Sequence, residues 1–499
     1  MIMACIVNPT KEDDEPLDDP LSIPVGAVHL RPTDREANAW FGDPVPFYWE
    51  GTYHLFYVWD QGHLVLPRVC HKWGHFASRD LVHWTEYPMA VEPGEEASCG
   101  TGSVFHQDGT FHMYYLGRYF TTNGVMHETL CHATSTDLIT WTKDSANPIS
   151  RPDPRWYAPT DWRDGFPFWN EEAQEYWMLV TASLKEGPEP FRGAIALLAS
   201  RDLRSWEARA PFWAPHLGRH LECPDLFYWN GWWYLLFSGA HDSTHGTLYR
   251  KSRSLCGPWE TPRVETFDGP FFYAGKTAGD GRRRMLFGWL GTRAGDADSG
   301  YPQWGGHGLV RELVQDPTDG SLWVKCPPER LQLGTPAAVP SFTPQLGRWR
   351  TEGPELAAAA PGLAYATTDL PGNRLIRFRF RPDGGARRFG ALLRTDPGLS
   401  GGYRLAIEPE AQRFTFSGYG PEGRPRLRPV DRPLPCDPRQ EFTVTLILSG
   451  SIVEVFVNDR SALALRVYDH RGPSFGLFVE EGAGTFTDLS VRSLPDDPW

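Results

Sequence analysis

No run of 18 or more apolar residues occurs in this 499-residue chain, so no segment is built to cross a bilayer as a helix. Positive charge is short: 49 Lys and Arg against 62 Asp and Glu leave a formal charge of −13. Nucleic-acid binding draws on concentrated cations that release phosphate counterions, so a nucleic-acid partner is excluded and a neutral or cationic ligand is favoured. The eight cysteines (Cys5, Cys70, Cys99, Cys131, Cys223, Cys256, Cys326, Cys436) are scattered, with no CxxC pair and no His cluster at zinc spacing. Neither metal nor cofactor is therefore expected, and the thiols read as reduced and structural. Residues Met1 to Pro20 show no basic region followed by an apolar one and instead carry Lys11-Glu12-Asp13-Asp14-Glu15. That is unlike a secretory signal, and the expected location is the cytoplasm.

Turn formers and aromatics are plentiful: 50 Gly, 45 Pro and 21 Trp, with 13% aromatic residues overall, point to a turn-rich all-β protein. Five aromatic strands recur, starting at Tyr53, Phe111, Tyr176, Trp233 and Met285, at spacings of 58, 65, 57 and 52 residues. A second echo follows each of the first four. It reads Ala77-Ser78-Arg79-Asp80-Leu81 with Trp84, then Ala133 to Leu138 with Trp141, Ala199 to Leu203 with Trp206, and Ser252 to Leu255 with Trp259. A repeat of this length built from short strands buries both faces only when the units close into a ring, which predicts a five-bladed β-propeller.

The expected organisation is an acidic arm over 1–25, the propeller over 26–326, a linker over 327–346 and a second domain over 347–499. In the linker aromatics thin out and Pro, Ala, Gly and Thr take over, as in a segment that packs weakly. Beyond it, Leu375 to Phe380, Phe442 to Ile447 and Ile452 to Val457 alternate apolar with polar residues. Asn458-Asp459 reads as a turn into Ala462 to Val467, and Gly476 to Glu480 as a further short strand. Such alternation predicts strands with one wet face, here a β-sandwich. The sandwich's role stays open between structural partner, sugar binder and homo-oligomer surface.

Inner propeller strands start near the axis, so residues at those starts converge. Blade one opens with Trp40-Phe41-Gly42-Asp43-Pro44, blade three with Trp162-Arg163-Asp164-Gly165, blade four with Leu221-Glu222-Cys223-Pro224-Asp225, and blade five carries Asp268-Gly269-Pro270. Blade two offers Cys99-Gly100-Thr101-Gly102-Ser103 without an acid. Acids before Pro or Gly often only make turns. Several at one place in successive blades instead suggest a site, and two carboxylates facing one bond are the minimum for glycoside hydrolysis. His75 and His83 fall on an outer strand and read as structural.

These motifs resemble glycoside hydrolase family 32, the invertase, inulinase and levanase group, over about residues 27–495. Glu222-Cys223-Pro224-Asp225 matches the family's E-C-P-D motif, Arg163-Asp164 its R-D-P motif with Gly165 in place of Pro, and Asp43-Pro44 the end of its W-x-N-D-P motif. Further matches run through Trp73-Gly74-His75 to Trp84, Phe272-Tyr273-Ala274, Arg311-Glu312-Leu313 and, in the sandwich, Val453 to Asn458. The resemblance implies that Asp43 is the nucleophile of a retaining reaction, Glu222 the acid/base and Asp164 the transition-state stabiliser, with Arg163 holding the acid and Cys223 tuning Glu222. Glu222 would then keep its proton near neutral pH through burial and neighbouring negative charge. Trp40, Tyr273 and Trp304 are expected to wall the sugar, and Ser103 to touch its hydroxymethyl group.

The departures concern the pocket floor: Gly42 stands where the family has Asn, Val45-Pro46 where it has Asn-Gly and Val58 where it has Gln. The loop from Asp60 to Lys72 also lacks the family's leaving-group tryptophan. The expected activity is hydrolysis of a terminal β-fructofuranoside of a small oligosaccharide. A fructosyltransferase or arabinofuranosidase-like enzyme on the same fold, and a silent carbohydrate-binding protein, are the alternatives.

Overall fold

The computed structural model describes residues 23–25, 28–34, 36–63, 70–241, 244–421 and 427–496. The acidic arm lies outside the described residues except for its last three, as do residues 64–69 of the loop before Lys72. The chain forms a five-bladed β-propeller followed by a β-sandwich. No described helix is long and apolar enough to cross a membrane.

The inner strands of the five blades are Ala39–Trp49, Ser98–Gln107, Arg163–Asn170, Glu222–Trp229 and Phe272–Gly279. Each touches the next around the ring, and the fifth touches the first. The five recurring aromatic segments are the second strands, Thr52–Gln61, Thr110–Phe120, Glu175–Ser183, Trp232–His241 and Arg284–Arg293. Their large rings, such as Tyr57, Tyr115, Tyr234 and Phe287, are buried between blades. Ring closure is backbone-mediated: Gly306 on the third strand of blade five pairs with Phe41 on the inner strand of blade one, and Leu30 bridges Gly308.

The second echo is a turn after each third strand. Ser78 accepts the amides of Asp80 and Leu81 at 3.2 and 2.8 Å, and Asp80 Oδ1 accepts those of Val82 and His83 at 2.9 and 2.7 Å. Ser135 with Asp137 and Ser200 with Asp202 repeat the pattern. Leu81, Leu138 and Leu203 share a left-handed φ of 63, 65 and 63°. These repeat aspartates are therefore spent on backbone amides. The accompanying tryptophans are filler between blades: Trp141 meets Phe56 of blade one edge-on at 5.7 Å, and Trp206 meets Tyr114 of blade two at 5.5 Å.

In the sandwich, the strand expected over Gly476 to Glu480 is part of a much longer one, Ser474–Ser493, which pairs with Glu355–Asp369, Arg374–Pro382 and Arg388–Thr395. Asn458 and Asp459, at φ 57 and 50°, make the expected turn between Ile452–Val457 and Ser461–Arg466. The stretch over 327–346, expected to pack weakly, instead carries Thr335–Ala337 paired to Ser474–Ser493, Thr343–Leu346 paired to Glu355–Asp369, and a buried Arg330.

The one-wet-face expectation holds on Arg374–Pro382, where Arg379 and Arg381 are exposed, but fails on Ile452–Val457, which like Ser461–Arg466 is buried along its whole length. Their outer face packs on the propeller, where Ile447, Ile452, Phe456, Ala462 and Ala464 join Phe272, Leu290 and Leu309 in one apolar cluster. Glu454 points into this interface. It accepts from Arg311 of blade five, from Arg330 at 2.8 Å and from His29 at 2.8 Å, and Arg311 also meets Asp268 at 2.9 Å. Asp268 thus faces the sandwich, not the axis, and its other oxygen accepts the amide of Ala464. The two arginines hold the Glu454 carboxyl well below the usual carboxylate range although burial opposes ionisation. Removing one member of such a cluster strands buried charge, so Glu454→Gln is expected to lower stability by about 3 to 5 kcal/mol. Denaturant unfolding measures it, and a change within error of zero would show that Arg311 and Arg330 find other partners.

Candidate active site

All five inner strands slip register against their second strand at the same height. The slips fall between Gly42 and Pro44, Gly100 and Gly102, Arg163 and Phe166, Glu222 and Asp225, and Tyr273 and Lys276. The last paired residue before each slip faces Val58, Leu116, Thr181, Ser238 and Trp289 in turn. A bulge leaves residues unpaired and re-aims their side chains. In blades one and two the extra residue is Asp43 or Thr101. In blades three to five two residues lie opposite one, and the first of the two, Asp164, Cys223 or Ala274, has left-handed φ of 61, 55 and 51°. These are uncommon values for residues other than glycine, held here by the flanking ladder.

The bulges and their neighbours line one narrow cavity of about 90 Å³ at the hub. Asp43, Arg163, Asp164, Glu222, Cys223, Tyr273 and Trp304 all reach it. Asp43 accepts from Trp289 Nε1 at 2.9 Å and from the Thr101 hydroxyl. Asp164 Oδ2 accepts from Thr181 at 3.0 Å and from the backbone amide of Cys223 at 2.9 Å. Glu222 accepts from Arg163 Nη2 at 2.7 Å on one oxygen and from the Tyr273 hydroxyl on the other. Arg163 is itself anchored by Glu128 at 2.7 Å and Asp161 at 2.8 Å. Cys223 thus lines the cavity and meets Asp164 through its amide.

Two expected residues stand apart from the cavity lining. Trp40 packs under the Arg31 guanidinium, 3.5 Å from its ring centre, and stacks on His63 at 4.7 Å. Ser103 is buried and accepts a bond of 2.8 Å from Lys276, which also donates to Gly102 O at 2.6 Å. Sequence reasoning missed Thr101, Leu116, His71, Arg118 and Trp289. Alignment of the five inner strands on their bulge position would have pointed to Thr101, which occupies in blade two the place of Asp43.

Trp304 explains the departure at Gly42. A Cβ at residue 42 would lie 2.2 Å from Trp304 Cη2, so the indole fills the space that a longer side chain would need. The ring stacks on His71 at 4.2 Å, and His63 Nδ1 donates to the Trp304 carbonyl at 2.7 Å. With Val58 and Leu116 it makes part of the floor apolar.

Electrostatics divide the carboxyls. Burial, with the negative charges of Asp164 and Glu222, pushes Asp43 up to about 6 against the opposing bonds from Thr101 and Trp289. Burial likewise raises Asp164, although Arg163, the Cys223 amide and Lys276 oppose it. For Glu222, burial is outweighed by the Arg163 charge and the Tyr273 and Arg163 bonds, which hold it below its ordinary value. The expectation that Glu222 keeps the proton is thus reversed in the free site: hydrogen bonds to the charged form win over burial. Two acids pushed apart in this way can share one proton between a donor and a nucleophile role. Among the described residues no group of three or more His, Cys, Asp and Glu is arranged to hold a metal ion.

Both parts of the chain match a known family: residues 29–326 match the N-terminal domain of glycosyl hydrolases family 32, and residues 362–493 the family's C-terminal region. The chain is similar to raffinose invertase of Escherichia coli, at 26% identity over 91% of this chain and 93% of that one. It is likewise similar to sucrose-6-phosphate hydrolase of Escherichia coli, at 26% identity over 86% and 87%. Among solved structures, exo-inulinase from Aspergillus awamori superposes with a TM-score of 0.71 at 19% identity, over 94% of this chain and 98% of that one.

Removal of the Glu222 charge in Glu222→Gln is expected to lower the pKa of Asp43 yet leave it above the ordinary value, because burial and Asp164 remain. Carboxyl carbon NMR on aspartate-labelled protein reads the shift. An unmoved Asp43 would show the two groups to be electrostatically separate.

Proposed function

The chain belongs to glycosyl hydrolase family 32, and from that membership and the hub geometry we propose that it is a retaining β-fructofuranosidase acting on the terminal fructose of a small oligosaccharide. The observation that carries this reading is the convergence of Asp43, Asp164 and Glu222, from three blades, on one narrow cavity. Retaining hydrolysis uses a nucleophile and an acid/base that flank one glycosidic bond, about 5 to 5.5 Å apart.

In this mechanism Asp43 attacks the anomeric carbon while Glu222 gives its proton to the leaving oxygen, and a covalent fructosyl ester forms. Glu222, now ionised, takes a proton from water, whose oxygen attacks the same carbon and frees Asp43. Asp164 faces the positive charge that builds on the ring as an ionised partner. Trp289 and Thr101 hold the nucleophile in one orientation, and Tyr273 and Arg163 do the same for the acid, so the reacting groups need little rearrangement. Substrate binding must pass the shared proton from Asp43 to Glu222. The apolar floor of Val58 and Trp304 gives the fructose fewer polar partners there than the family pattern supplies. A cytoplasmic setting fits small substrates, and the seven described cysteines are free thiols.

The test is a panel of sucrose, inulin and levan oligomers and nitrophenyl furanosides, followed by proton NMR. Release of fructose that is first β-configured is expected, with kcat reduced about 10²- to 10⁴-fold in Glu222→Gln. First-formed α-fructose, release of arabinose alone, or an unaffected variant would overturn the reading.

The productive form carries one proton across Asp43 and Glu222. Below the lower of the two pKa values both are protonated and no nucleophile remains. Above about 6 both are ionised and no acid remains. A bell-shaped kcat/KM profile with its basic limb near pH 6 is therefore expected. A plateau extending to pH 8 would contradict the assignment.

A further inference from the structure

We infer that a crevice between the propeller and the sandwich, lined by Arg394 and Arg471, is a second ligand site, which takes a phosphate monoester of a small sugar or polyol. The crevice encloses about 330 Å³ and shares no lining residue with the hub cavity. Asp296 of the propeller stands on one side, and the sandwich supplies the rest.

Arg394 lies where the strand Arg388–Thr395 slips against Ser474–Ser493, between Leu392 and Thr395, and its φ is 50°. This strained backbone re-aims the side chain, as bulges do. The guanidinium donates to the Gly450 carbonyl. Among the described residues, neither Arg394 nor Arg471 has a carboxylate within 4.0 Å. Asp298 is the acid whose charge reaches Arg394, but its oxygens are committed to the Tyr403 hydroxyl at 2.7 Å and the Tyr468 amide at 2.8 Å. Burial depresses the Arg394 pKa, and the positive charge of Arg471 adds to the effect.

A half-buried guanidinium with no carboxylate in direct contact, beside a second one, is a costly arrangement that a bound anion relieves. Two guanidinium forks match the oxygens and the double charge of a phosphate monoester better than a single carboxylate. The wall beyond them is mixed. Leu370, Pro371 and Pro473 offer an apolar surface, and Ser451 brings a hydroxyl that already accepts from Arg466 at 2.8 Å. A bare anion would leave this wall unused, whereas a compact sugar ring would cover it.

Calorimetric titration of the full chain with inorganic phosphate and with fructose 6-phosphate tests the site. Saturable binding of both is expected, tighter for the sugar phosphate, unaffected by saturating free fructose and weakened at least tenfold in Arg394→Gln. Because Arg394 is partly buried, the exposed Arg471→Gln is the second variant. It should show the same loss while hydrolysing sucrose at the wild-type rate in phosphate-free buffer. No saturable binding of either probe, unchanged affinity in Arg471→Gln, or displacement by fructose would overturn the proposal. Equal affinity for the two probes would overturn its sugar part.

Discussion

Each inner strand of the propeller meets two demands that a regular ladder cannot satisfy together. It must bond its second strand along its length, and it must turn a side chain toward the axis where all five blades meet. One bulge per blade, at a common height, resolves the conflict. Asp43, Thr101, Asp164 and Cys223 are what these bulges present, and the ends of the second strands supply their partners. The site is therefore held by the most rigid part of the fold, between buried strands, and not by loops. The hydrogen bonds from Trp289 to Asp43 and from Thr181 to Asp164 run between the two strands of the same or the adjoining blade in the ring.

The same chain uses aspartate in two chemically distinct ways. Asp80, Asp137 and Asp202 sit at the rim, accept backbone amides and are held below their ordinary pKa. Asp43 and Asp164 sit at the hub, where burial raises them. Sequence pattern alone separates them poorly, since both recur with the blade period. Their surroundings separate them well: two backbone amides converge on each of the first set, whereas Asp43 meets the Trp289 and Thr101 side chains and Asp164 the Thr181 hydroxyl and a single amide.

Much of this was legible beforehand. The blade count followed from the five aromatic segments, and the carboxylates Asp43, Asp164 and Glu222 stood out because each opened a blade. What escaped was anything set by packing across the ring. Trp40 and Trp304 look equivalent as sequence, yet one lies under Arg31 and the other forms the cavity wall. Asp268 opened blade five by the same rule as Asp43, but Arg311 draws it toward the sandwich. The protonation of Glu222 depended on Arg163 and Tyr273, whose reach into the same point cannot be read from spacing. The sandwich pattern misled for a related reason: Thr445 and Glu454 are polar, but the face they share is covered by the propeller, so polarity there marked an interface between domains and not a surface in water.

The contact between Gly42 and the indole of Trp304 sets an order on how such a pocket can change over evolutionary time. A side chain cannot be gained at position 42 while the ring occupies its volume, and the ring could not have settled there while a side chain remained. Gaining a side chain at position 42 therefore requires the indole of Trp304 to swing aside or to give way to a smaller side chain.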